Sequence, residues 1–332
     1  MHQIYDLNAD EREAIEELIA SIQKTVRDEN ELHRIVRRAC EELPLSIRRL
    51  LADYRAEVLG PAIQISGFPV DDAVIGSTPL TTRPDPNRPI MREDIYLALI
   101  ASRLGTPFSF ASQQGGHLTQ NIVPMKMAEF SQLGSGSKEE LVWHTEDAFS
   151  EYRPDFILLF GMRNPQKAAT TVACLPPETE KEDMEALFSK NFVFIPDPDH
   201  ASHLAHAATE AGRIAHAKMQ AMLSDPSAES VLFGNLKEPY IRIDPQFMKP
   251  IDSQDKSVAA YQRLVERIER SQRDVVIDQG DLLIVDNHRA VHGRRSFQAR
   301  YDGSDRWLKK INVTQDFKRL SELRFHERDF AI

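Results

Sequence analysis

Apolar residues recur at helical spacing through the first part of the chain. In the first of three such segments, Asn8 followed by Glu11 forms the pattern of a helix N-cap. We therefore predict a mainly helical region over residues 1–60, packed on the rest of the protein, and assign it no chemistry. The apolar positions that define the three segments are Ile15, Leu18, Ile19, Ile22, Val26, Leu32, Ile35, Val36, Ala39, Cys40, Ile47, Leu50, Leu51 and Tyr54.

After this region the helical periodicity gives way to short apolar runs, which are typical of strands. We predict a strand at residues 62–68, a loop rich in Pro, Thr, Asn and Asp at 77–89, and a helix at 95–104 that ends at Gly105. Further strands are predicted near Glu129 and at residues 141–149, 155–163, 169–175, 191–195, 231–236, 240–243, 275–277, 282–285 and 307–313. Helices interrupt them at residues 182–189, 205–222 and 257–271.

This succession of many short strands after a helical start predicts the fold class. Strands and helices do not alternate regularly, which disfavours a parallel α/β sheet. We predict a mainly β fold with helical cover, whose core is a double-stranded β-helix, also called a distorted jelly roll. The whole chain, residues 1–332, is predicted to form a single domain, with the jelly-roll core and its helical insertions over residues 100–315.

Composition narrows the possible partners. The chain of 332 residues has a formal net charge of −10, which gives no electrostatic reason to expect nucleic acid or an anionic membrane as a partner. No apolar run is long enough to span a bilayer, the start lacks a secretion signal, and Cys40 and Cys174 lie inside apolar segments. We therefore expect a cytoplasmic protein with a small-molecule partner, and we leave its oligomeric state open.

Two distant motifs carry the candidate chemistry. His144 and Glu146 stand two residues apart in a predicted strand, where residues i and i+2 face the same way. His292 follows the predicted strand at residues 282–285 and directly precedes Gly293. If the fold brings His292 to the first pair, the three side chains form the facial triad that is typical of non-haem Fe(II) oxygenases.

Four stretches around these motifs carry a family resemblance. They are residues 143–149 (WHTEDAF), 152–155 (YRPD), 286–294 (DNHRAVHGR) and 298–308 (QARYDGSDRWL). With these stretches the sequence resembles the clavaminate synthase-like family of Fe(II)/2-oxoglutarate-dependent oxygenases. Within that family it is most similar to the hydroxylases of free L-amino acids, which include arginine and lysine hydroxylases and asparagine oxygenase. The order and spacing of the motifs agree over roughly residues 100–315.

The resemblance implies a set of cofactors. His144, Glu146 and His292 would hold Fe(II) and leave three positions open. The cosubstrate 2-oxoglutarate would take two of these positions and O2 the third, and the reaction would release succinate and CO2. Related halogenases lack the carboxylate ligand, so the presence of Glu146 favours hydroxylation of a C–H bond, with desaturation left open.

The resemblance also implies which residues bind 2-oxoglutarate. Its far carboxylate needs a planar cation that binds through two hydrogen bonds, and Arg306 lies where the family has that arginine. Thr171, or its neighbour Thr170, matches a threonine that helps to hold the same carboxylate. Three other arginines lie nearer to the second motif and compete for this role: Arg294, Arg295 and Arg300.

Candidates for the amino acid substrate follow from the same resemblance. Gln113, with Gln114 beside it, and the ligand Glu146 match the contacts to an α-amino group. Lys310 falls where the family often has an arginine that binds the substrate carboxylate. Ser135 belongs to the flexible stretch 134–137 (GSGS), which could form a mobile lip of the site.

Asp244 and Gln246 match the segment that recognises the side chain of the substrate. Relatives that act on basic amino acids tend to have two aspartates two residues apart, so Gln246 leaves a single anion here. We predict hydroxylation at the β or γ carbon of lysine or arginine, in the biosynthesis of a specialised peptide such as an antibiotic. Glutamine, asparagine or citrulline is the alternative, and a free or a carrier-bound substrate remains open.

Two other classes of function are also weighed. His200, His203, His206 and His216 lie at spacings that could collect zinc and would suit a zinc hydrolase. The alanines around them instead indicate a surface helix, and no His-Glu pairing supports a zinc site. A binding protein that kept the fold and lost turnover is disfavoured, because the metal ligands and Arg306 are all present.

Overall fold

The computed structural model of the chain describes residues 2–85, 88–198, 200, 213, 217, 220–321, 323 and 330–332. Its helices are α1 (Ala9–Gln23), α2 (Glu29–Ala39), α3 (Leu45–Arg55), α4 (Asp72–Ile75), α5 (Arg92–Leu104), α6 (Lys181–Leu187) and α7 (Lys256–Ser271). Its strands are β1 (His2–Asp6), β2 (Ala62–Ser66), β3 (Thr106–Phe108), β4 (Gln120–Ile122), β5 (Leu141–His144), β6 (Phe156–Arg163), β7 (Ala169–Cys174), β8 (Phe192–Phe194), β9 (Leu232–Asn235), β10 (Glu238–Ile241), β11 (Met248–Pro250), β12 (Arg273–Val276), β13 (Leu282–Asp286), β14 (Ala290–Arg294) and β15 (Trp307–Thr314).

The first three helices confirm the helical start that the sequence predicts. At the beginning of α1, the backbone N–H of Glu11 donates to the Asn8 side chain at 2.9 Å, and the Asn8 N–H donates back to the Glu11 carboxylate at 3.0 Å. This reciprocal capping satisfies two N–H groups that a helix end leaves without partners. The apolar stripes of α1, α2 and α3 pack against α5 and bury Ile15, Leu32 and Ile47.

Two sheets form the body of the fold. The major sheet has the strand order β1-β2-β13-β6-β15-β3, and β4 also pairs with β15. The minor sheet has the order β12-β7-β14-β5, and all of its pairs are antiparallel. Only β1 and β2 pair in parallel among the assigned strands of the described residues. Two short ribbons, β9–β10 and β8–β11, complete the β structure of this part of the chain.

An apolar core lies between the two sheets. The major sheet contributes Ile157, Leu159 and Leu283, and the minor sheet contributes Val172 and Val275. Helices α1 to α3 and α5 cover the outer face of the major sheet, whereas α6 and α7 cover the minor sheet. Two facing sheets, antiparallel except for the β1–β2 pair, with helical cover confirm the predicted jelly-roll class. The assignment of residues 1–332 to one domain stays a prediction.

Strands β1, β3, β4 and β11 were not predicted, and local predictions fail at three further places. Near Glu129 the chain forms a short 3-10 turn, Lys126–Ala128, in place of the predicted strand. The strand that carries His144 ends at that residue and does not continue to residue 149. His292 lies within β14, which was not predicted, since its sequence AVHGR lacks an apolar alternation. The helix predicted at residues 205–222 falls mostly outside the described residues.

None of the helices in the described part of the chain combines the length and apolar composition that a membrane-crossing helix needs.

Candidate active site

The two predicted histidine ligands lie side by side on neighbouring strands. β5 and β14 are antiparallel, and their register places His144 directly opposite His292. Cross-strand partners project to the same face of a sheet, so both imidazoles point towards the space between the two sheets. Their ring centroids are 4.6 Å apart. The fold therefore brings these two residues together although they are far apart in the sequence.

Glu146 reaches the same point from a turn and not from the strand in which it was predicted. Its Oε2 lies 3.2 Å from Nε2 of His292 and 3.6 Å from Nε2 of His144. Asn287 fixes this turn, because its side chain accepts from the Glu146 N–H at 2.8 Å and donates to the Glu146 carbonyl at 3.0 Å. Asp147, the next residue, adopts a left-handed backbone conformation with φ 50°.

The donor set fits a ferrous ion. One atom each from His144, Glu146 and His292 lie within 4.8 Å of one another, so a single ion can contact all three. Nδ1 of His144 donates to the carbonyl of Val142 at 2.9 Å, which leaves the lone pair of Nε2 for a metal. Two imidazoles and one carboxylate on one face of an ion match non-haem iron sites with open positions.

Lys310 supplies the counter-charge of this centre. It lies on β15 of the major sheet, and its ammonium contacts Oε1 of Glu146, the oxygen turned away from the two histidines. Burial alone would raise the pKa of Glu146, but Lys310, His144 and His292 hold that pKa well below its ordinary value. The carboxylate therefore stays ionised, as a metal ligand must.

A second cationic region lies in the same cavity. Arg306 is 5% exposed, and burial lowers its pKa to about 9, with the nearby charge of Arg294 acting in the same direction. Among the described residues, no carboxylate lies within salt-bridge distance of Arg306, and its Nε lacks a hydrogen-bond partner. Leaving a guanidinium buried in this way is costly, so an anion is expected to bind there.

The two candidate threonines face opposite sides of β7. Thr170 lines the cavity, and its hydroxyl lies 3.3 Å from Nη2 of Arg306. Thr171 pairs with Gly293, and its hydroxyl lies near that glycine, outside the lining of the cavity. Successive strand residues alternate in direction, so only one of the two can reach the cavity. The geometry does not support the assignment to Thr171 and favours the alternative, Thr170.

The other predicted arginines divide between cavity and surface. Arg294 lines the cavity beside Arg306 and donates to the backbone carbonyls of Ser137 and Glu139. Arg295 points outwards and pairs with acidic side chains at the protein surface. Alternation along β14 explains this difference, because His292 and Arg294 share one face of the strand.

The predicted substrate residues gather around the same cavity. Its lining includes Ser135 from the predicted lip, together with Asp244 and Gln246. The carboxylate of Asp244 accepts from the backbone N–H of Gln246 at 3.0 Å, and burial raises its pKa. Gln113 also lines the cavity, with its amide nitrogen 3.5 Å from Asp147.

Two cavity residues were missed by the sequence reasoning. Asp197 lines the cavity with Asp244, and no motif of the sequence assigned it to a site. Asp147 lines it as well and pairs with His200, whose Nε2 lies 2.9 Å away. The sequence signal that could have identified Asp147 as a site residue is its position directly after the candidate metal ligand Glu146. Of the proposed zinc cluster only His200 is described, and His203, His206 and His216 lie outside the described residues.

Comparison with known proteins agrees with this site. The profile of the family described as "Taurine catabolism dioxygenase TauD, TfdA family" matches residues 220–311. Enduracididine beta-hydroxylase of Streptomyces hygroscopicus is 35% identical over 86% of this chain and 85% of its own length. The L-ornithine/L-arginine 3-hydroxylase of Catenulispora acidiphila is 36% identical over 84% of each chain.

Solved structures extend the agreement to the whole fold. The non-heme iron oxygenase OrfP, crystallised with Fe, succinate and (3S)-hydroxy-L-Arg, superposes with a TM-score of 0.92 at 36% identity over 99% of both chains. The same protein with Fe and alpha-ketoglutaric acid gives a TM-score of 0.87. The chain therefore belongs to the clavaminate synthase-like family of Fe(II)- and 2-oxoglutarate-dependent oxygenases, among its amino acid hydroxylases.

Proposed function

We propose that this oxygenase hydroxylates a free basic L-amino acid, arginine or a close analogue of it, at the β or γ carbon. The observation that carries the proposal is the presence of two carboxylates in the cavity of the metal triad, the buried Asp244 and the half-buried Asp197. The named activities of the similar hydroxylases on ornithine and arginine support the same substrate class. OrfP has also been crystallised with Fe and L-homoarginine, and this second guanidino compound supports the same substrate class.

His144, Glu146 and His292 would hold the iron, with Asn287 keeping the turn of Glu146 in place. Bound iron and 2-oxoglutarate together supply the oxidation of a substrate C–H bond, with succinate and CO2 as co-products. The residues of the chain would position the reacting carbon of the substrate at a fixed distance from the metal. They would also exclude water from the site while O2 is consumed.

The cosubstrate would lie against Arg306. The guanidinium can bind the far carboxylate of 2-oxoglutarate through two parallel hydrogen bonds, and the Thr170 hydroxyl lies next to it. Arg294, at the end of β14 in the minor sheet, adds positive charge close to Arg306. This arrangement neutralises an otherwise unpaired buried cation, so 2-oxoglutarate and Arg306 each satisfy the other's charge.

The α-amino acid end would lie near Glu146 and Lys310. The ammonium of Lys310 can contact a substrate carboxylate while remaining near Glu146, its partner in the structure. Oε1 of Glu146, the oxygen turned away from the histidines, and the amide oxygen of Gln113 can then accept hydrogen bonds from the α-ammonium group. Recognition of both charges at this end favours a free amino acid over a carrier-bound one.

The side-chain end would lie near Asp244 and Asp197. Sequence reasoning found one anion there, because Gln246 replaces an expected aspartate, but the cavity lining contains the second carboxylate of Asp197. Two carboxylates suit a guanidinium or ammonium better than a neutral amide. Residues 134–137 and 244–248 would close over the substrate, with Ser135 and Gln246 at the rim.

The proposed setting is a cytoplasmic pathway that builds a specialised peptide, such as an antibiotic. The unpaired thiols of Cys40 and Cys174 suit the reducing environment that also keeps iron ferrous.

A panel assay tests this function. The enzyme is supplied with Fe(II), 2-oxoglutarate and each common free L-amino acid together with ornithine, citrulline and homoarginine, and succinate and product masses are measured. We expect arginine-type substrates to give a product with one added oxygen atom in step with succinate. Asp244→Asn should raise KM for the basic substrate by about tenfold or more, since a charged hydrogen bond is lost.

A matched measurement separates the alternative substrate class. The same Asp244→Asn variant should leave any activity on glutamine, asparagine or citrulline nearly unchanged, because an amide needs no carboxylate partner. Preferred turnover of a neutral amide or ureido amino acid by the wild type would contradict the proposed substrate. Loss of two hydrogen atoms, in place of a gained oxygen, would identify a desaturase.

A further inference from the structure

The side chain of His200 links two separate segments on the substrate side of the cavity, residues 112–113 and Asp147. Its Nδ1 lies 2.6 Å from the hydroxyl of Ser112, and its Nε2 lies 2.9 Å from Oδ1 of Asp147. The amide nitrogen of Gln113 lies 2.8 Å from the same Nε2. Both ring nitrogens are therefore engaged, although His200 itself is not part of the cavity lining.

The ring is held tightly in this position. His200 is 0% exposed and packs edge-to-face between Phe110 and Phe149, with centroid distances of 5.3 and 4.6 Å. A ring enclosed by two aromatic side chains and hydrogen-bonded at both nitrogens has little freedom to rotate. The side chains that it contacts are consequently fixed in orientation as well.

Three contacts of His200 lead to residues that line the cavity. Asp147 directly follows the metal ligand Glu146, and Gln113 is the candidate for binding the α-amino group. The backbone N–H of His200 donates to the Asp197 carboxylate at 3.2 Å, and Asp197 is the second anion at the side-chain end. One residue thus links the amino end of the proposed substrate site to its side-chain end.

We propose that His200 is a positioning residue that sets the spacing between these two ends and so contributes to amino acid selectivity. The inference rests on the proposed function, since it concerns the substrate side of the same site. His200 does not touch the substrate; it acts through Gln113, Asp147 and Asp197. Because Arg306 and Thr170 share no contact with it, binding of 2-oxoglutarate should not depend on His200.

A second metal site is the competing explanation of the same cluster. Asp147, Asp197 and His200 offer ligand atoms within 4.8 Å of one another. However, Nε2 of His200 and Oδ1 of Asp147 are already at hydrogen-bonding distance, and Nδ1 is bound to Ser112. No imidazole lone pair is left to bind an ion without breaking this network.

The experiment compares His200→Phe with two other variants. His200→Phe removes both nitrogens but keeps an aromatic ring between Phe110 and Phe149. Ser112→Ala is a milder change that removes one partner of His200. His33→Phe is the matched control, because His33 is equally buried and packs against Phe317 and Phe330 outside the cavity.

Three quantities are measured for each protein: KM for the amino acid, KM for 2-oxoglutarate, and the ratio of hydroxylated product to succinate. Calorimetric titration of the amino acid into the anaerobic protein loaded with Fe(II) and 2-oxoglutarate adds an affinity that does not depend on turnover. Titration of Fe(II) gives the number of metal ions per chain. If the wild type prefers an amino acid other than arginine, that amino acid is used in these measurements.

For His200→Phe we expect the KM and Kd of the amino acid to rise about tenfold or more, because buried polar groups lose their partners. The product-to-succinate ratio should fall, and KM for 2-oxoglutarate should stay within about twofold, as expected of a site without shared partners. Ser112→Ala should show the same pattern to a smaller degree. His33→Phe should leave both KM values and the ratio unchanged.

Two results would overturn the inference. If His200→Phe loses active protein but keeps the wild-type KM values and product ratio, as the control would, the residue is merely structural. A second Fe(II) per wild-type chain that His200→Phe abolishes would establish the metal site instead. Failure of the proposed function would give a different result, because the wild type would then form no product from any amino acid. The affinities of the wild type and the variants for the amino acid could still be compared by calorimetry.

Discussion

At the scale of single residues, the surroundings of Arg306 indicate what kind of ligand it binds. It is buried in the cavity, it contacts Thr170, and no carboxylate of the described residues lies within ion-pair distance. A guanidinium without a carboxylate partner in the described part of the chain favours a planar anion with two acceptor oxygens as its ligand. The far carboxylate of 2-oxoglutarate has this shape and charge.

Arg306→Lys tests this assignment, because it keeps the charge and removes the fork. We expect KM for 2-oxoglutarate to rise about 10- to 100-fold, the loss typical of a charged hydrogen bond. KM for the amino acid should change little. Arg295→Lys is the matched control at an exposed position, where the arginine pairs with Glu140 and Asp274, and it should change neither value. An unaltered KM in Arg306→Lys would transfer the role to Arg294.

Residue-level prediction from the sequence is sharpest where a motif dictates the chemistry. His144, Glu146 and His292 could be named because a facial triad permits few residue types. The choice between Thr170 and Thr171 could not be made, since it depends on the direction of β7 in the sheet. Asp197 was missed as a cavity residue because nothing in its local sequence relates it to Asp244.

At the scale of secondary structure, the pairing of β5 with β14 brings together the two histidines of the candidate metal centre. Gly293 follows His292 at the closest approach of the two strands. A Cβ at this position would lie 2.5 Å from the carbonyl oxygen of Leu141 and 2.9 Å from the backbone nitrogen of Trp143. Backbone atoms cannot move aside as the end of a flexible side chain can. Any side chain at this position must therefore displace β5.

Gly293→Ala should therefore weaken metal binding without touching a ligand. We expect the affinity for Fe(II) to fall by about tenfold or more, in the range found when residues that orient metal ligands are altered. Gly134→Ala is the control for protein stability, since its Cβ would meet only Ile122 at 3.6 Å. Calorimetric metal titration checks both variants. Wild-type affinity in Gly293→Ala would mean that β5 and β14 need not approach so closely.

The elements themselves were predictable to different degrees. Amphipathic spacing located α1 to α3, because a helix on a sheet must bury one stripe. Strand β14 was not predicted, because it carries His292 and Arg294 and therefore lacks the apolar alternation by which a strand is recognised. The extended geometry assumed for Glu146 was wrong, since Asn287 holds that residue in a turn.

At the scale of the whole molecule, the site lies between two sheets whose order no local pattern reveals. β13 pairs with β2 and β6, although it is far from both in sequence. At the end of β13, burial raises the pKa of Asp286 to about 6. The buried carboxyl group therefore releases its proton less readily in the folded than in the unfolded protein.

This shift makes the stability of the fold depend on pH. A carboxyl group with a raised pKa in the folded state favours folding at low pH, and the benefit is lost as the pH rises from about 4 through 6. Asp286→Asn, which cannot ionise, should gain up to about 3 kcal/mol in free energy of unfolding relative to the wild type over this interval. Urea denaturation of the metal-free proteins at both ends of the interval measures the difference. A constant difference would show that Asp286 ionises normally.

The most direct test of the central claim is an anaerobic calorimetric titration of Fe(II) into the wild type and into the variants His144→Ala, Glu146→Ala and His292→Ala. The account predicts one ion per wild-type chain. Each ligand variant should lose more than the roughly 100-fold in affinity that an altered outer partner of a metal costs. Arg306→Lys should keep the wild-type metal affinity. Undiminished Fe(II) binding by any of the three ligand variants would contradict the proposed centre.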